Sequence, residues 1–222
     1  MSITAKGKIS RIISVDTGGT FTDFLLFDNG QLRSLKIPST PSDPAEAVLQ
    51  GITSLLEKPF EDYILLHGST ISTNTVLERT GARVKLITNS GFEDIIEIGR
   101  QNRPQLYELV GHRLPPLVSR DDRKGIPGRI GPTGTIIDHL TTDDLQGLSP
   151  YLKSAESIAI VLLHSYANPK HERKVEESIS SLGIPISTSS RLLPEYREYE
   201  RTSTTVTNAY VAPKMVNYLT RL

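Results

Sequence analysis

Apolar residues in the first forty positions form three short runs of the kind typical of β-strands, at 12–15, 21–27 and 31–37. The segment Asp28-Asn29-Gly30 separates the last two runs. Asn and Gly tolerate the positive φ that a tight hairpin requires. The pattern therefore predicts that the chain opens with an antiparallel meander.

The period of the apolar positions then changes to that of a helix. Asp43 can cap this helix, Pro44 suits its first position and Glu46 completes a capping box. Strand and helix patterns alternate from here, which is typical of a parallel sheet flanked by helices. Helices are predicted at 45–56 and 71–80, and strands at 63–66 and 83–88.

Periodicity fails in the Gly-, Pro- and Arg-rich stretch 91–134. An irregular stretch of this length inside a domain is uncommon and tends to be functional. Regular patterns then return. They predict a short helix after Thr142, strands at 158–163 and 184–187, a helix opened by Asn168-Pro169, and helices at 202–210 and 213–222.

Composition narrows the class of protein. The 222 residues carry 25 Lys plus Arg and 25 Asp plus Glu, so no basic excess indicates a nucleic-acid partner. The absence of cysteine excludes disulfides, a thiolate nucleophile and a Cys-ligated metal. The start lacks the apolar run of a signal peptide, and no apolar stretch approaches the roughly 20 residues of a membrane span. A soluble, cytoplasmic protein without a membrane partner is expected.

The turn after the first predicted strand reads DTGGTFTD, from Asp16 to Asp23. Gly18 and Gly19 let the backbone turn sharply and approach a ligand closely. Successive backbone N–H groups in such a turn form an anion-binding concavity. The available hydroxyls are those of Thr17, Thr20 and Thr22. The turn is predicted to bind the phosphates of a nucleotide, ATP; a purely structural hairpin is the alternative.

Asp16 closes the first strand, where a carboxylate can hold Mg²⁺ or orient a water. Asp23 is a second candidate acid, although strand alternation could direct it elsewhere. A phosphate turn after the first strand of a meander resembles the first phosphate loop of actin and sugar kinases. It lacks the Gly-Lys-Ser/Thr of a Walker loop and the GxGxxG of a dinucleotide fold.

Two further segments carry polar chemistry. His67 to Arg83 puts hydroxyls and an amide between a strand and a helix, where α/β sheets bind ligands; ordinary N-capping is the alternative. Arg100 and Arg103 lie three apart, and guanidinium groups bind carboxylates or phosphates in a bidentate way. Solvated surface arginines are the alternative there.

Together, these segments closely resemble the N-terminal region of the hydantoinase A/5-oxoprolinase family. The matching segments read, in order, DTGGTFTD, HGSTISTN, ERTGAR, GFEDIIEIGRQNRPQLY, LLHSYANPKHE and EYREYERTSTTVTNAYVAP. Related members include N-methylhydantoinases and the ATP-binding subunits of acetone and acetophenone carboxylases. The resemblance implies an α/β fold, an actin-like ATPase (ribonuclease H-like) lobe. Its mixed sheet would join the antiparallel opening meander to parallel strands flanked by helices.

In enzymes of this family, ATP activates a substrate carbonyl as a phosphorylated amide or enol, after which water opens a ring or a carboxyl group is added. Asp16 would be the catalytic residue and the Mg²⁺ contact. The resemblance implies cofactor contacts at Asp16, Thr17, Gly18, Gly19, Thr20 and Thr22. It implies that the ATP or substrate cleft is bordered by His67, Ser69, Thr70, Asn74, Arg100 and Arg103.

The resemblance also implies one N-terminal domain over 8–222, with a phosphate-binding core at 10–90, an irregular insertion at 91–138 and the second half of the lobe at 139–222. Family members continue into a second ATPase lobe, and an actin-like site lies between two lobes. The expected partners are this C-terminal lobe, a B-type subunit, and a small cyclic amide or ketone substrate.

Three functions stay open at this point. The first is an ATP-dependent hydantoinase or 5-oxoprolinase that hydrolyses a cyclic amide. The second is the ATP-binding subunit of a ketone carboxylase. The third is a non-catalytic module, or a fragment inactive without the second lobe. A sugar kinase fits less well, because the GRQNRP and EYERTST segments do not resemble one.

Overall fold

The computed structural model describes residues 11–40, 42–56, 62–102, 107 and 114–222. The chain divides into two compact units. The first unit holds the described residues up to Glu78 together with Lys214–Leu222, and the second spans Arg79–Pro213.

The first unit is built on a four-stranded mixed sheet. Its strands are β1 (Arg11–Thr17), β2 (Phe21–Asp28), β3 (Gln31–Pro38) and β4 (Ile64–Ser69), in the order β3-β2-β1-β4. The first three strands are antiparallel, and β4 pairs parallel to β1. Asn29 and Gly30 have φ of 49° and 84° at the β2–β3 turn, as the hairpin sequence requires. The predicted opening meander is confirmed.

Helix α1 (Pro44–Leu55) packs on one face of this sheet, called here the inner face. Side chains alternate along each strand, so Ile13 and Val15 of β1 and Phe24 and Leu26 of β2 all lie on this face. They are buried against apolar residues of α1, and burial of each such side chain contributes about 1.5–3 kcal/mol. The opposite side of the sheet is called the outer face. Helix α2 (Ile71–Leu77) follows β4.

The second unit contains a four-stranded, fully parallel sheet in the order β10-β9-β5-β6. Its elements are β5 (Val84–Asn89), α3 (Ile95–Ile98), β6 (Arg123–Ile126), β7 (Arg129–Ile130), β8 (Ile136–Asp138), α4 (Leu148–Leu152), β9 (Ser157–Val161), α5 (Lys170–Ile179), β10 (Ile186–Thr188), α6 (Ser189–Leu192) and most of α7 (Glu198–Arg221). The core of this unit lies between the sheet and helices α4 and α5.

Two expectations about the strands were wrong. The alternation of strands and helices predicted β4 and β5 in one parallel sheet, but they belong to different sheets. Periodicity identifies a strand without identifying its partner, and β5 pairs with β6 and β9. The stretch expected to be irregular contains β6, whose sequence RKGI is too short and too polar to give a periodic signal. The division into 10–90, 91–138 and 139–222 stays a prediction about domains.

The last helix is continuous where two helices were predicted. Helix α7 runs through Pro213, which lacks the backbone N–H for one helical hydrogen bond. A proline inside a helical pattern usually marks a helix end, so the sequence alone favoured a break. Within the part of the chain that the structure describes, no helix is long and apolar enough to span a membrane.

Candidate phosphate-binding site

The glycine turn between β1 and β2 is closed by a hydrogen bond. The backbone N–H of Gly18 donates to the carbonyl of Phe21 at 3.0 Å. A Cβ on Gly18 would lie 3.0 Å from that same carbonyl oxygen, and a Cβ on Gly19 would lie 3.0 Å from Nδ2 of Asn74. Neither glycine has positive φ. A side chain at either position would force the neighbouring atom to give by a few tenths of an ångström, so the two glycines relieve crowding and let a ligand approach the backbone of the turn.

Ser39, just after β3, holds this turn in place. Its N–H donates to the carbonyl of Thr20 at 2.9 Å, and its hydroxyl donates to the carbonyl of Gly18 at 2.9 Å. Ser39 was not among the predicted site residues. The β2–β3 register, which pairs Phe21 with Pro38, places the next residue beside the turn and was the available signal.

Asp16 and Asp23 are directly opposite each other on β1 and β2, so strand alternation puts both on the outer face. Both are exposed, and Asp23 forms an ion pair with Lys36 at 2.8 Å. On the other side, a Cβ on Gly68 of β4 would lie 3.4 Å from Oδ1 of Asp16. The missing side chain at Gly68 leaves the Asp16 carboxylate open. Mg²⁺ in proteins is held by one or two such carboxylates with retained waters.

Thr17 and Thr22, both expected to contact the cofactor, lie on the inner face and are 0% exposed. The Thr22 hydroxyl is 2.9 Å from that of Ser39, and the Thr17 hydroxyl is 3.5 Å from that of Tyr218. These hydroxyls are used inside the protein. The exposed polar side chains of the turn are those of Asp16, Thr20 and Asp23, and Gly19 exposes its backbone.

The segment between β4 and α2 lies beside the turn. The N–H and hydroxyl of Thr70 both donate to the carbonyl of Thr17, at 3.1 and 3.3 Å. Asn74 donates from Nδ2 to the Thr70 hydroxyl at 3.4 Å, close to Gly19. The Ser69 hydroxyl accepts from the N–H of Ile71 at 3.2 Å, which is a local turn contact. The structure thus brings Thr70 and Asn74 to the glycine turn.

A small cavity of about 150 Å³ opens beside the glycines. Its charged lining residues are Asp43, Glu78 and Lys214, and the amides of Asn74 and Asn217 also line it. Pockets that enclose drug-sized ligands measure roughly 300–1,000 Å³. The cavity therefore accommodates a phosphate-sized group and cannot enclose a whole nucleotide. Asp43 does not cap α1 through its side chain, because its carboxylate pairs with Arg221 at 2.7 Å.

His67 lies on the inner face behind the turn, where Nε2 is hydrogen-bonded to the hydroxyl of Tyr218. Burial lowers the pKa of His67 below its usual 6.5, and the nearby charge of Asp16 opposes this shift. Burial also raises the pKa of Tyr218. Tyr218 is 3% exposed and was missed by sequence reasoning, which assigned the end of α7 only an apolar helical pattern.

Arg100 belongs to the second unit. Its Nε donates to Glu200 at 2.8 Å, and the guanidinium lies 5.8 Å from the ring centre of Tyr199. The arginine lowers the pKa of Glu200. Arg100 and Arg79 both line a cavity of about 730 Å³ in the second unit. Arg103 lies outside the described residues.

Side chains that could ligate a metal ion are not clustered in the part of the chain that the structure describes. Across the described ranges, no group of three or more His, Cys, Asp or Glu side chains could hold a metal ion. Asp16 and Asp23 are the two carboxylates of the glycine turn, and both oxygens of Asp23 accept from Nζ of Lys36. Fold and site together define the class: a mixed α/β protein that has a phosphate-sized cavity and an open carboxylate at the end of one strand.

Residues 12–183 match the family model of the hydantoinase/oxoprolinase N-terminal region, so the chain belongs to this family. An uncharacterised protein of Methanocaldococcus jannaschii is 41% identical over 93% of the chain. Caprolactamase subunit alpha of Pseudomonas jessenii is 32% identical over 95% of the chain. The predicted family resemblance is confirmed.

A solved structure of nucleotide-free acetone carboxylase, from work on ATP-dependent acetone carboxylation, is similar with a TM-score of 0.84 and 29% identity. The match covers 95% of this chain but only 33% of that one. The chain likewise spans 32% of each of the two curated relatives. Its fold therefore recurs as about one third of considerably longer proteins.

Proposed function

We propose that this chain forms the first nucleotide-binding lobe of an ATP-dependent hydantoinase or 5-oxoprolinase, which hydrolyses a cyclic amide after activation of its carbonyl. The lobe would be of the actin-like, ribonuclease H-like type. One observation carries the proposal: the open carboxylate of Asp16 stands near the end of β1, just before a turn whose two glycines are closely approached by neighbouring atoms.

The residues fit ATP and Mg²⁺ in two respects. A Cβ at either glycine would crowd the turn. Because both residues lack one, the backbone of the turn stays open to phosphate oxygens. The carboxylates of Asp16 and Asp23 offer the hard oxygen ligands that Mg²⁺ prefers. Bound Mg-ATP would supply the phosphoryl group that activates the substrate carbonyl. Asp16 would hold the metal, and Gly18, Gly19 and Thr20 would surround the phosphates.

Thr17 and Thr22 take a different part in this proposal. Because both side chains are fully buried, they shape the turn and leave ligand contact to the backbone. Asn74, whose amide lies next to Gly19, borders the phosphates from α2. His67, Ser69 and Thr70 support that edge, and Arg100 lines a separate candidate cleft in the second unit.

The cavity at the turn is too small for whole ATP, and the relatives are about three times as long as the matched region. The proposed enzyme therefore has a C-terminal lobe that completes the nucleotide site. Residues 1–222 alone would then not catalyse the ATP-dependent reaction. A B-type subunit and a small cyclic amide substrate complete the proposed enzyme.

A second function rests on the TM-score of 0.84 with acetone carboxylase. In that case the same lobe would bind ATP in a ketone carboxylase, and the substrate would be a ketone. The two functions would use the same phosphate turn. They would differ in the carbonyl compound that ATP activates, a cyclic amide in the hydrolase and a ketone in the carboxylase. A non-catalytic module is the third possibility.

The test uses the complete protein that contains residues 1–222, with its B-type partner where one is encoded. ATP consumption is measured with 5-oxoproline, with hydantoins, and with acetone plus bicarbonate. Activation by a cyclic amide supports the hydrolase, and activation by acetone with bicarbonate supports the carboxylase. No substrate-dependent ATP consumption with either class would favour the non-catalytic module.

Asp16→Asn is then compared with Asp62→Asn, a matched carboxylate that is exposed just before β4. Removing one preorganised hydrogen-bond donor to a transition-state charge costs about 10²–10³-fold in kcat, and we expect Asp16→Asn, which would weaken the hold on the metal, to lose a comparable factor while Asp62→Asn stays near wild type. Wild-type coupled turnover in Asp16→Asn would reject the assignment of Asp16.

A further inference from the structure

The outer face of the first sheet carries a row of apolar side chains that crosses all four strands. Leu32, Phe27, Ile12 and Ile64 are consecutive cross-strand neighbours. Three of them are strongly exposed: Leu32 at 63%, Phe27 at 45% and Ile64 at 38%. In the next row, two serines, Ser34 and Ser14, alternate with Leu25 at 42% and Leu66 at 54% exposed. Contiguous exposed apolar patches of this kind mark interaction surfaces.

Strand β4 adds a second, independent observation. It has one neighbour among the described strands, β1, so its other edge is open in the described part of the chain. Its residues Ile64, Leu65 and Leu66 are apolar on both faces, and each is at least 38% exposed. Strands that are apolar on both faces are typical of the interior of a parallel sheet covered on both sides.

The opposite edge of the sheet shows the contrast. Strand β3 carries Gln31, Arg33, Ser34 and Lys36 among its eight residues. Charged and polar side chains are the usual protection of an edge strand against further pairing. Strand β3 is therefore built as a true edge, whereas β4 has the composition of an internal strand without its second neighbour.

We propose that β4 and the outer face are the docking surface for the part of the hydantoinase/oxoprolinase polypeptide that this chain does not match. That part adds a strand to the open edge of β4 and covers the exposed apolar side chains of both rows. The inference rests on the C-terminal lobe included in the proposed function. It is supported by the acetone carboxylase chain, of which a region like this one makes up only 33%.

The surface also explains how such a segment reaches the phosphate turn. The third row of the outer face contains Lys36, Asp23, Asp16 and Gly68, in cross-strand register. It follows the apolar rows directly toward the glycine turn. Polypeptide packed on the apolar rows would therefore border the Asp16 carboxylate and bring its own side chains to the metal site.

The test is made on the complete protein that contains residues 1–222. Residues 1–222 hold no cysteine, so Leu66→Cys introduces a new labelling site in this region. The matched control is Gln50→Cys on the exposed side of α1. Maleimide labelling of each site is followed by peptide mass spectrometry. We expect labelling at position 66 to be at least about tenfold slower than at position 50.

Hydrogen exchange of the unmodified complete protein gives a measurement that does not depend on a variant. Slow exchange along the whole of Ile64–Ser69, relative to β3, supports a paired edge. Exchange and labelling as fast as at exposed positions would overturn the proposal. Protection that disappears on dilution, together with dissociation of a dimer, would also overturn it, because a second copy would then be the occupant.

These readouts do not involve ATP. Protection at β4 with a fully active Asp16→Asn variant would keep the docking surface and reject the proposed phosphate site. Fast exchange at β4 with an inactive Asp16→Asn variant would reject the docking surface and keep the proposed phosphate site.

Discussion

The hydroxyl of Tyr218 near the end of α7 is hydrogen-bonded to Nε2 of His67 on β4, although 151 residues separate the two in sequence. The same hydroxyl is 3.5 Å from that of Thr17, the last residue of β1. The three side chains form a buried polar contact directly behind the phosphate turn. The final turns of α7 are thereby fixed to the two strands whose ends carry Asp16 and Gly68.

Tyr218→Phe tests how much this contact stabilises the protein. The change keeps the ring and removes one hydroxyl, leaving His67 and Thr17 without that partner in a buried site. We expect a loss of about 1–2 kcal/mol in the free energy of unfolding, measured by denaturant titration. Tyr196→Phe is the control: Tyr196 is 67% exposed, so its loss should stay within about 0.5 kcal/mol. Equal stability of the two variants would contradict the role of Tyr218.

The glycine turn between β1 and β2 could be predicted from sequence because all its determinants are local. Gly18 and Gly19 are adjacent, Asp16 precedes them, and the strands on either side have clear alternation. Ser39 and Tyr218 could not be found in this way. Their contribution depends on where the β2–β3 hairpin and α7 return to the turn, and that is decided by tertiary packing.

The sheets show the same limit. Short apolar runs located β1, β2, β4 and β5 to within a few residues. They did not indicate that β4 and β5 belong to different sheets, because a strand's own sequence does not identify its neighbours. The short strand β6 escaped because its buried Arg123 is held by ion pairs with Asp94 and Glu97, and an arginine gives no apolar signal.

The pH dependence of stability should reflect two histidines. Burial lowers the pKa of both His67 and His171 below 6.5. Just below pH 6.5 the unfolded chain therefore binds more protons than the folded one. The contribution of the two histidines to the free energy of unfolding is complete above that pH and is lost as the pH falls. Denaturant titrations between about pH 7.5 and 5.5 should therefore show falling stability in the wild type.

The variant for this prediction is the double change His67→Gln and His171→Gln. Its stability should depend less on pH over the same window, whatever its absolute value. Burial raises the pKa of Glu198, which acts in the opposite direction but is present in both proteins and cancels in the difference. Parallel curves for the two proteins would show that the histidines do not titrate differently on unfolding.

Gly19→Ala tests the space beside the turn. The new methyl group would lie 3.0 Å from Nδ2 of Asn74, so either the amide or the turn must shift. In the complete enzyme we expect the KM for ATP to rise by about tenfold, equivalent to about 1.4 kcal/mol. Gly147→Ala is the control, because nothing lies within 4 Å of a Cβ there.

The double variant Gly19→Ala with Asn74→Ala separates crowding from loss of a ligand contact. If crowding by the amide is the cause, the second change relieves part of the effect of the first. If Asn74 itself binds phosphate, the double variant should be weaker than either single one. Tight ATP binding by Gly19→Ala alone would contradict close approach of the ligand at this position.

Arg201 on α7 is the fully buried centre of an ionic network in the second unit. It is 0% exposed, donates to Glu198 at 2.8 Å and to the carbonyl of Leu162 at 3.0 Å, and lies 3.8 Å from Glu172. Glu172 is also 0% exposed and accepts from the N–H groups of Leu162 and Ser190. Arg201 therefore supplies the charge that balances a carboxylate buried beside the ends of β9 and β10.

Arg201→Ala should leave that carboxylate without its cation. Removing one partner of a buried ion pair costs about 3–5 kcal/mol, because the remaining charge stays buried and uncompensated. The control is Arg191→Ala: Arg191 pairs with Glu176 at 2.6 Å but is 61% exposed, and such surface pairs contribute about 0–1 kcal/mol. Should Arg201→Ala fail to fold, Arg201→Lys keeps the charge but loses the forked donor geometry, so an intermediate loss is expected. Denaturant titration of all three variants checks the order, and a cost for Arg201→Lys no larger than that for Arg191→Ala would show that the network does not depend on the guanidinium.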